Sequence, residues 1–204
     1  MNRRQALQSI GVAAALPLSA SELFAFGRRA HAQVRAAGSD ERYVFLSLNA
    51  DESETLSVAA ELIIPETDTP GARTARVPEF IDSVLWGWFN EDERKRFLRG
   101  IRDLNERARV LAGESFPRCA SAAQIGILRE LEAEARQALE SVEPTRLARR
   151  AALSAPEAPF FSVLKWLTVF GYYTSAAGMD QELEHVEFPG TYDGCSPLRG
   201  HGGE

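Results

Sequence analysis

The stretch FFSVLKWLTVFGYY, from Phe160 to Tyr173, most constrains the fold. It is apolar nearly all round at helical periodicity. Such a helix is stable in water only at the centre of a domain or beneath a partner. Other helices, or a partner, must therefore cover it. A hydrophobic share of 45% against 25% charged residues supplies enough apolar surface to build that cover. No stretch reaches the ~18 to 20 unbroken apolar residues of a membrane-spanning helix.

The surrounding helices are legible in order. Asp51 with Glu54 predicts a capping box, with Thr55, Val58, Ala59, Leu62 and Ile63 on one face. Pro65 ends that helix, and Pro65 to Val77 reads as a loop. Pro78 suits a first helical turn, and Phe80, Ile81, Val84, Leu85, Trp88 and Phe89 form a wide apolar stripe. Asn90 with Glu93 predicts the next cap, followed by Phe97, Ile101, Leu104, Ala108 and Leu111. Ser121 with Gln124 predicts another. Behind it Ile127, Leu128, Leu131 and Ala135 face inward, and Glu132, Glu134 and Arg136 face water. Glu143 to Pro159 is looser, with three prolines. The expected fold is all-α, a compact domain of about five helices with a Pro/Gly-rich irregular C-terminal tail from about residue 178.

The N-terminus predicts export. Arg3 and Arg4 stand together ahead of a short apolar run, Ile10 to Leu18, which is broken by Pro17. Ala30-His31-Ala32 before Gln33 has the A-x-A form read by signal peptidases. Paired arginines point to the twin-arginine route, which carries folded proteins. A flexible basic N-terminus, or a leader for unfolded export, is the plainer alternative. The expected organisation is a signal peptide over 1–32, a linker over 33–50 and a helical domain over 51–204.

Residues 1–32 carry four arginines against one glutamate, Glu22, so the remainder is more acidic than the whole-chain charge of −6. An acidic domain without a basic, aromatic-studded run is a poor partner for nucleic acid. Cys119 and Cys195 are the two cysteines. In an exported chain they invite a disulfide worth on the order of 4 kcal/mol. Two free thiols, or a link to another subunit, are the alternatives.

No nucleotide-binding glycine motif, P-loop, nucleophile elbow or C-x-x-C occurs. Glu182 and His185 have E-x-x-H spacing, but a di-metal helical site needs a second such motif and further carboxylates. A solvated charged run is the simpler reading. Glu66 and Asp68 are too few for calcium, and Thr67, Asp68 and Thr69 suit a hydrogen-bonded turn. Most aromatic residues belong to a core by spacing. Trp86 falls off its stripe, and Phe170, Tyr172, Tyr173, Phe188 and Tyr192 join it as candidate contacts to a partner.

These pieces together resemble the gluconate 2-dehydrogenase subunit 3 family. The resemblance runs through Ile63-Ile64-Pro65, Thr67-Asp68-Thr69-Pro70-Gly71-Ala72, Val77 and Phe80-Ile81-Asp82. It continues in Phe160-Phe161, Leu164-Lys165, Leu167-Thr168 and Phe170-Gly171-Tyr172-Tyr173-Thr174-Ser175. Gln181-Glu182-Leu183, Pro189-Gly190 and Tyr192-Asp193-Gly194-Cys195 close it. Between Val110 and Pro159 only the amphipathic pattern matches.

The resemblance implies a non-catalytic small subunit without a cofactor of its own. Its partner would be a GMC-type large subunit that holds FAD and oxidises a sugar, sugar acid or polyol, passing electrons to a multihaem cytochrome c. It also implies a periplasmic location, the small subunit's twin-arginine leader exporting both chains folded. A free-standing periplasmic chaperone or binding module is the alternative, and a metal enzyme at Glu182 and His185 a further one.

Overall fold

The computed structural model describes residues 20–36, 43–140 and 158–183. The fold is all-α: six α-helices, a 3-10 turn and a π turn make up the regular structure among these residues. The helices are α1 (Ala20–Ala36), α2 (Ala50–Ile63), α3 (Val77–Gly87), α4 (Glu91–Ala112), α5 (Ser121–Glu140) and α6 (Phe160–Tyr173). The apolar stretch from Phe160 to Tyr173 occupies the centre, with α2, α3, α4 and α5 packed around it. Its Phe161, Leu164, Leu167 and Tyr172 join Phe80, Ile81, Leu85, Ile101, Leu104 and Ile127 in one core.

Local signals set most helix ends. Asn90 and Glu93 form the expected reciprocal cap of α4, with bonds of 2.8 and 2.9 Å. Gly113 closes that helix in the left-handed conformation, φ 75°. Pro78 occupies the first turn of α3, and Ile63 ends α2 two residues before Pro65. Arg76, at φ 58°, turns the loop into α3, a conformation that costs a non-glycine residue about 1 kcal/mol.

Several expectations are corrected. The cap of α2 is Asn49 with Glu52, not Asp51 with Glu54. Asn49 Oδ1 accepts from the Glu52 backbone, and the Glu52 carboxylate accepts from the Asn49 backbone. The buried face of α2 shifts accordingly to Thr55, Leu56, Ala59 and Ala60. Ser121 begins α5 without capping it through Gln124, because the Gln124 side chain turns inward and donates to the Phe116 carbonyl at 2.8 Å. Leu111 is exposed, because α4 buries nothing beyond Ala108. Trp88 lies just past the end of α3. The chain also keeps a helical course past residue 178, as a π turn over Gly178–Glu182. Residues 141–157, which hold most of the looser proline-containing stretch, and the tail after Leu183 lie outside the described residues.

Close approach fixes the centre. A Cβ on Gly171 would lie 2.6 Å from the Phe80 ring, so α3 and α6 meet at a distance only glycine permits. Two polar devices tie the rest together. The Asp82 carboxylate, fully buried, accepts from Tyr43 Oη and from the backbone of Leu46 and Ser47, each at 2.9 Å. It fastens the segment before α2 onto α3. Asn105 donates to Thr55 Oγ1 and accepts from the Phe116 backbone, which joins α2, α4 and the 3-10 turn.

Candidate partner-binding surface

Four rings from three elements form a continuous row that ends in solvent on both sides. Trp88, following α3, meets Phe26 of α1 edge-on, with centroids 4.5 Å apart. Phe26 stacks on Phe170 of α6 at 5.8 Å, and Phe170 stacks on Trp166 at 5.1 Å with planes only 7° apart. Trp88 and Trp166 are each 38% exposed, and Val169 beside them is 37% exposed. Phe170 also reaches the core through Phe80, with centroids 6.0 Å apart. The inner rings of the row are packed against the core while its outer rings face water. Partly exposed aromatic rings lose little entropy on binding and are favoured interface anchors.

The expected contact residues separate clearly. Trp86 is 56% exposed, with the Arg94 guanidinium 5.7 Å above its ring. It does not join the ring row. Phe170 and Tyr173 are half-buried, whereas Tyr172 is 2% exposed and belongs to the core. Phe188 and Tyr192 lie outside the described residues. Sequence reasoning missed Phe26, Trp88 and Trp166 as members of this row. The recurrence of Phe26, Ala30 and Val34 every four residues was a legible helical face, hidden by the export pattern over the same segment.

The other candidates lie elsewhere. Ala30 is fully buried and Ala32 exposed in α1, so the expected division at residue 32 falls inside a helix. Arg3 and Arg4 lie outside the described residues. Cys119 is buried, its Sγ donating to the Ser115 carbonyl at 3.5 Å, and Cys195 lies outside the described residues. Glu182 is exposed and accepts from Thr69 Oγ1 at 3.1 Å, and His185 lies outside the described residues. Among the described residues no three His, Cys, Asp or Glu side chains are grouped to hold a metal. No described helix is long and apolar enough to cross a membrane. The loop after α2 is shaped by Glu61, whose carboxylate accepts from the backbones of Glu66 and Arg73.

Two packed titratable groups, the buried His31 and the half-buried Tyr43, are perturbed. Burial lowers the His31 pKa; the Gly171 carbonyl opposes the shift, and Arg35 and Arg76 add to it. Burial, then the Asp82 carboxylate, push the Tyr43 phenol well above its ordinary range. Both shifts keep a packed side chain neutral, as structural positions require.

Comparison with curated proteins and with solved structures gives no match. The family model described as gluconate 2-dehydrogenase subunit 3 matches residues 50–190, a span that takes in α2 to α6. The chain belongs to the gluconate 2-dehydrogenase subunit 3 family.

Proposed function

We propose that this chain is the non-catalytic small subunit of a flavin-dependent dehydrogenase complex acting on a sugar, sugar acid or polyol. It binds the FAD-containing large subunit and accompanies it, folded, through twin-arginine export to the periplasm. Family membership supports a role as a subunit of a dehydrogenase complex. The observation that carries the binding role is the row Trp88–Phe26–Phe170–Trp166. Core contacts hold it in place, yet it leaves two tryptophans partly in water, the arrangement expected of an anchor for a partner.

The test is a pull-down of the tagged chain from its native envelope fraction, with an absorption spectrum of the eluate. Flavin bands with one larger stoichiometric polypeptide are expected. A colourless chain recovered alone under gentle conditions overturns the reading. Recovery with many unrelated clients would point instead to a free-standing chaperone.

A further inference from the structure

We propose that α1 belongs to the mature protein, and that Ala30-His31-Ala32 is not a processing site in the folded chain. The A-x-A form attracts attention because a signal peptidase needs small side chains at two places in an accessible segment. Here the same small residues have another explanation. Ala30 is fully buried where α1 packs on α3, and Val34, one turn on, is 1% exposed. A Cβ on Gly27, one turn earlier, would lie 2.5 Å from Thr174 Cγ2 beyond the end of α6. The helix is built of small residues on this face because it lies close against its neighbours.

Both sides of the Ala32–Gln33 bond are fastened. Before it, the His31 ring stacks on Phe80 at 4.7 Å and its Nε2 donates to the Gly171 carbonyl at 2.8 Å. After it, Gln33 Oε1 accepts from Ser83 Oγ at 3.3 Å. Hydrolysis would add hydroxide to the Ala32 carbonyl carbon and a proton to the Gln33 nitrogen. It would thereby cut α1 in two and release Phe26, Ala30 and His31. The Phe80 ring and the Gly171 carbonyl would lose the ring and the donor that cover them. An export route that carries folded protein presents the bond to the peptidase only in this closed state. Any processing of the chain then falls N-terminal to the packed part of α1, which begins at Phe26.

One consequence rests on the proposed function: the partner surface includes a segment whose sequence reads as a leader, because Phe26 is an inner ring of the row. Retention of α1 rests on export in the folded state but not on binding to a large subunit, so a failed pull-down leaves it untouched.

The test incubates the purified full-length chain with a bacterial signal peptidase in detergent micelles and follows the products by mass spectrometry. The folded chain is compared with the Gly27→Leu chain, whose side chain cannot coexist with Thr174, and with the urea-unfolded chain. Cleavage after Ala32 is expected to be at least about tenfold slower in the folded chain than in the unfolded one, with Gly27→Leu between them, since cleavage tracks the opened population. A chain left uncut in all three states supports the same conclusion, because the motif is then not read at all. Equal cleavage of folded and unfolded chains overturns the proposal. So does folded protein recovered from cells, in any compartment, that begins at Gln33.

Discussion

Asn105 Nδ2 donates to Thr55 Oγ1 at 2.7 Å between two helices, α4 and α2, with both residues buried. The amide is used at both ends, since Asn105 Oδ1 accepts from the Phe116 backbone at 2.9 Å. Gln124 completes the set by donating to the Phe116 carbonyl. Replacing Asn105 by Ala leaves the Phe116 N–H without this acceptor inside the core. Asn105→Ala is expected to destabilise the protein by about 2 to 4 kcal/mol in urea unfolding. A loss under ~1 kcal/mol would mean that the network is dispensable.

Asp82 holds the segment before α2, and Tyr43→Phe removes one of its three bonds. That change should cost about 1 to 2 kcal/mol, whereas Asp82→Ala, which orphans all three donors, should cost more than ~3 kcal/mol. Tyr43 also predicts an alkaline signature. Its folded pKa lies above the unfolded value, so its contribution is complete below about pH 10 and declines as pH rises beyond that toward the folded pKa. The stability difference between wild type and Tyr43→Phe should therefore shrink on raising the pH past 10.

His31 gives the opposite window. Its folded pKa is lowered, so below about pH 6.5 the unfolded chain takes up a proton that the folded chain resists. Its contribution is complete above pH 6.5 and falls as pH drops toward the folded pKa. Denaturant titrations at pH 7.5 and 5.5 should show a loss in wild type that is smaller in His31→Gln. Equal losses in the two proteins would remove His31 as the cause.

Trp166→Ser separates binding from folding. Its ring is partly in water but stacks on Phe170. The variant should therefore stay folded and lose about 1 to 2 kcal/mol, a fall of roughly 2 to 8 °C in melting temperature. Binding to the large subunit should weaken at least about tenfold, as for an aromatic anchor. Leu167→Ala, by contrast, empties a fully buried position and should cost about 2 to 5 kcal/mol. Unchanged flavoprotein recovery with Trp166→Ser would move the interface elsewhere, with Trp86 the next residue to test.

The exposed pair Arg107–Glu134 is well formed at 2.7 Å, yet both side chains face solvent. Glu134→Gln should change stability by less than ~1 kcal/mol, and less still in high salt. Thermal melts at low and high ionic strength would measure it.

Features that depend on neighbours along the chain were already written in the string of residues. The Asn90–Glu93 cap, Pro78 in its first turn, the stop at Pro65 and the bounds of Phe160 to Tyr173 all follow from local backbone chemistry. An apolar helix with no polar side had to be central or lie beneath a partner; four helices pack around it, and Trp166 and Val169 remain partly in water. What lay beyond that depended on contacts between distant segments. Periodicity shows that a face is apolar but not which neighbour covers it. Trp166 and Tyr172 are thus alike in sequence, yet one is exposed and the other sealed in the core. Gln124 reads as a surface cap until the Phe116 carbonyl supplies an inward partner. The small residues of α1 satisfy a signal peptidase and a close helix contact equally well as a string. Only the approach of Phe80, Gly171 and Thr174 from distant parts of the chain gives Gly27, Ala30 and His31 their place in the fold.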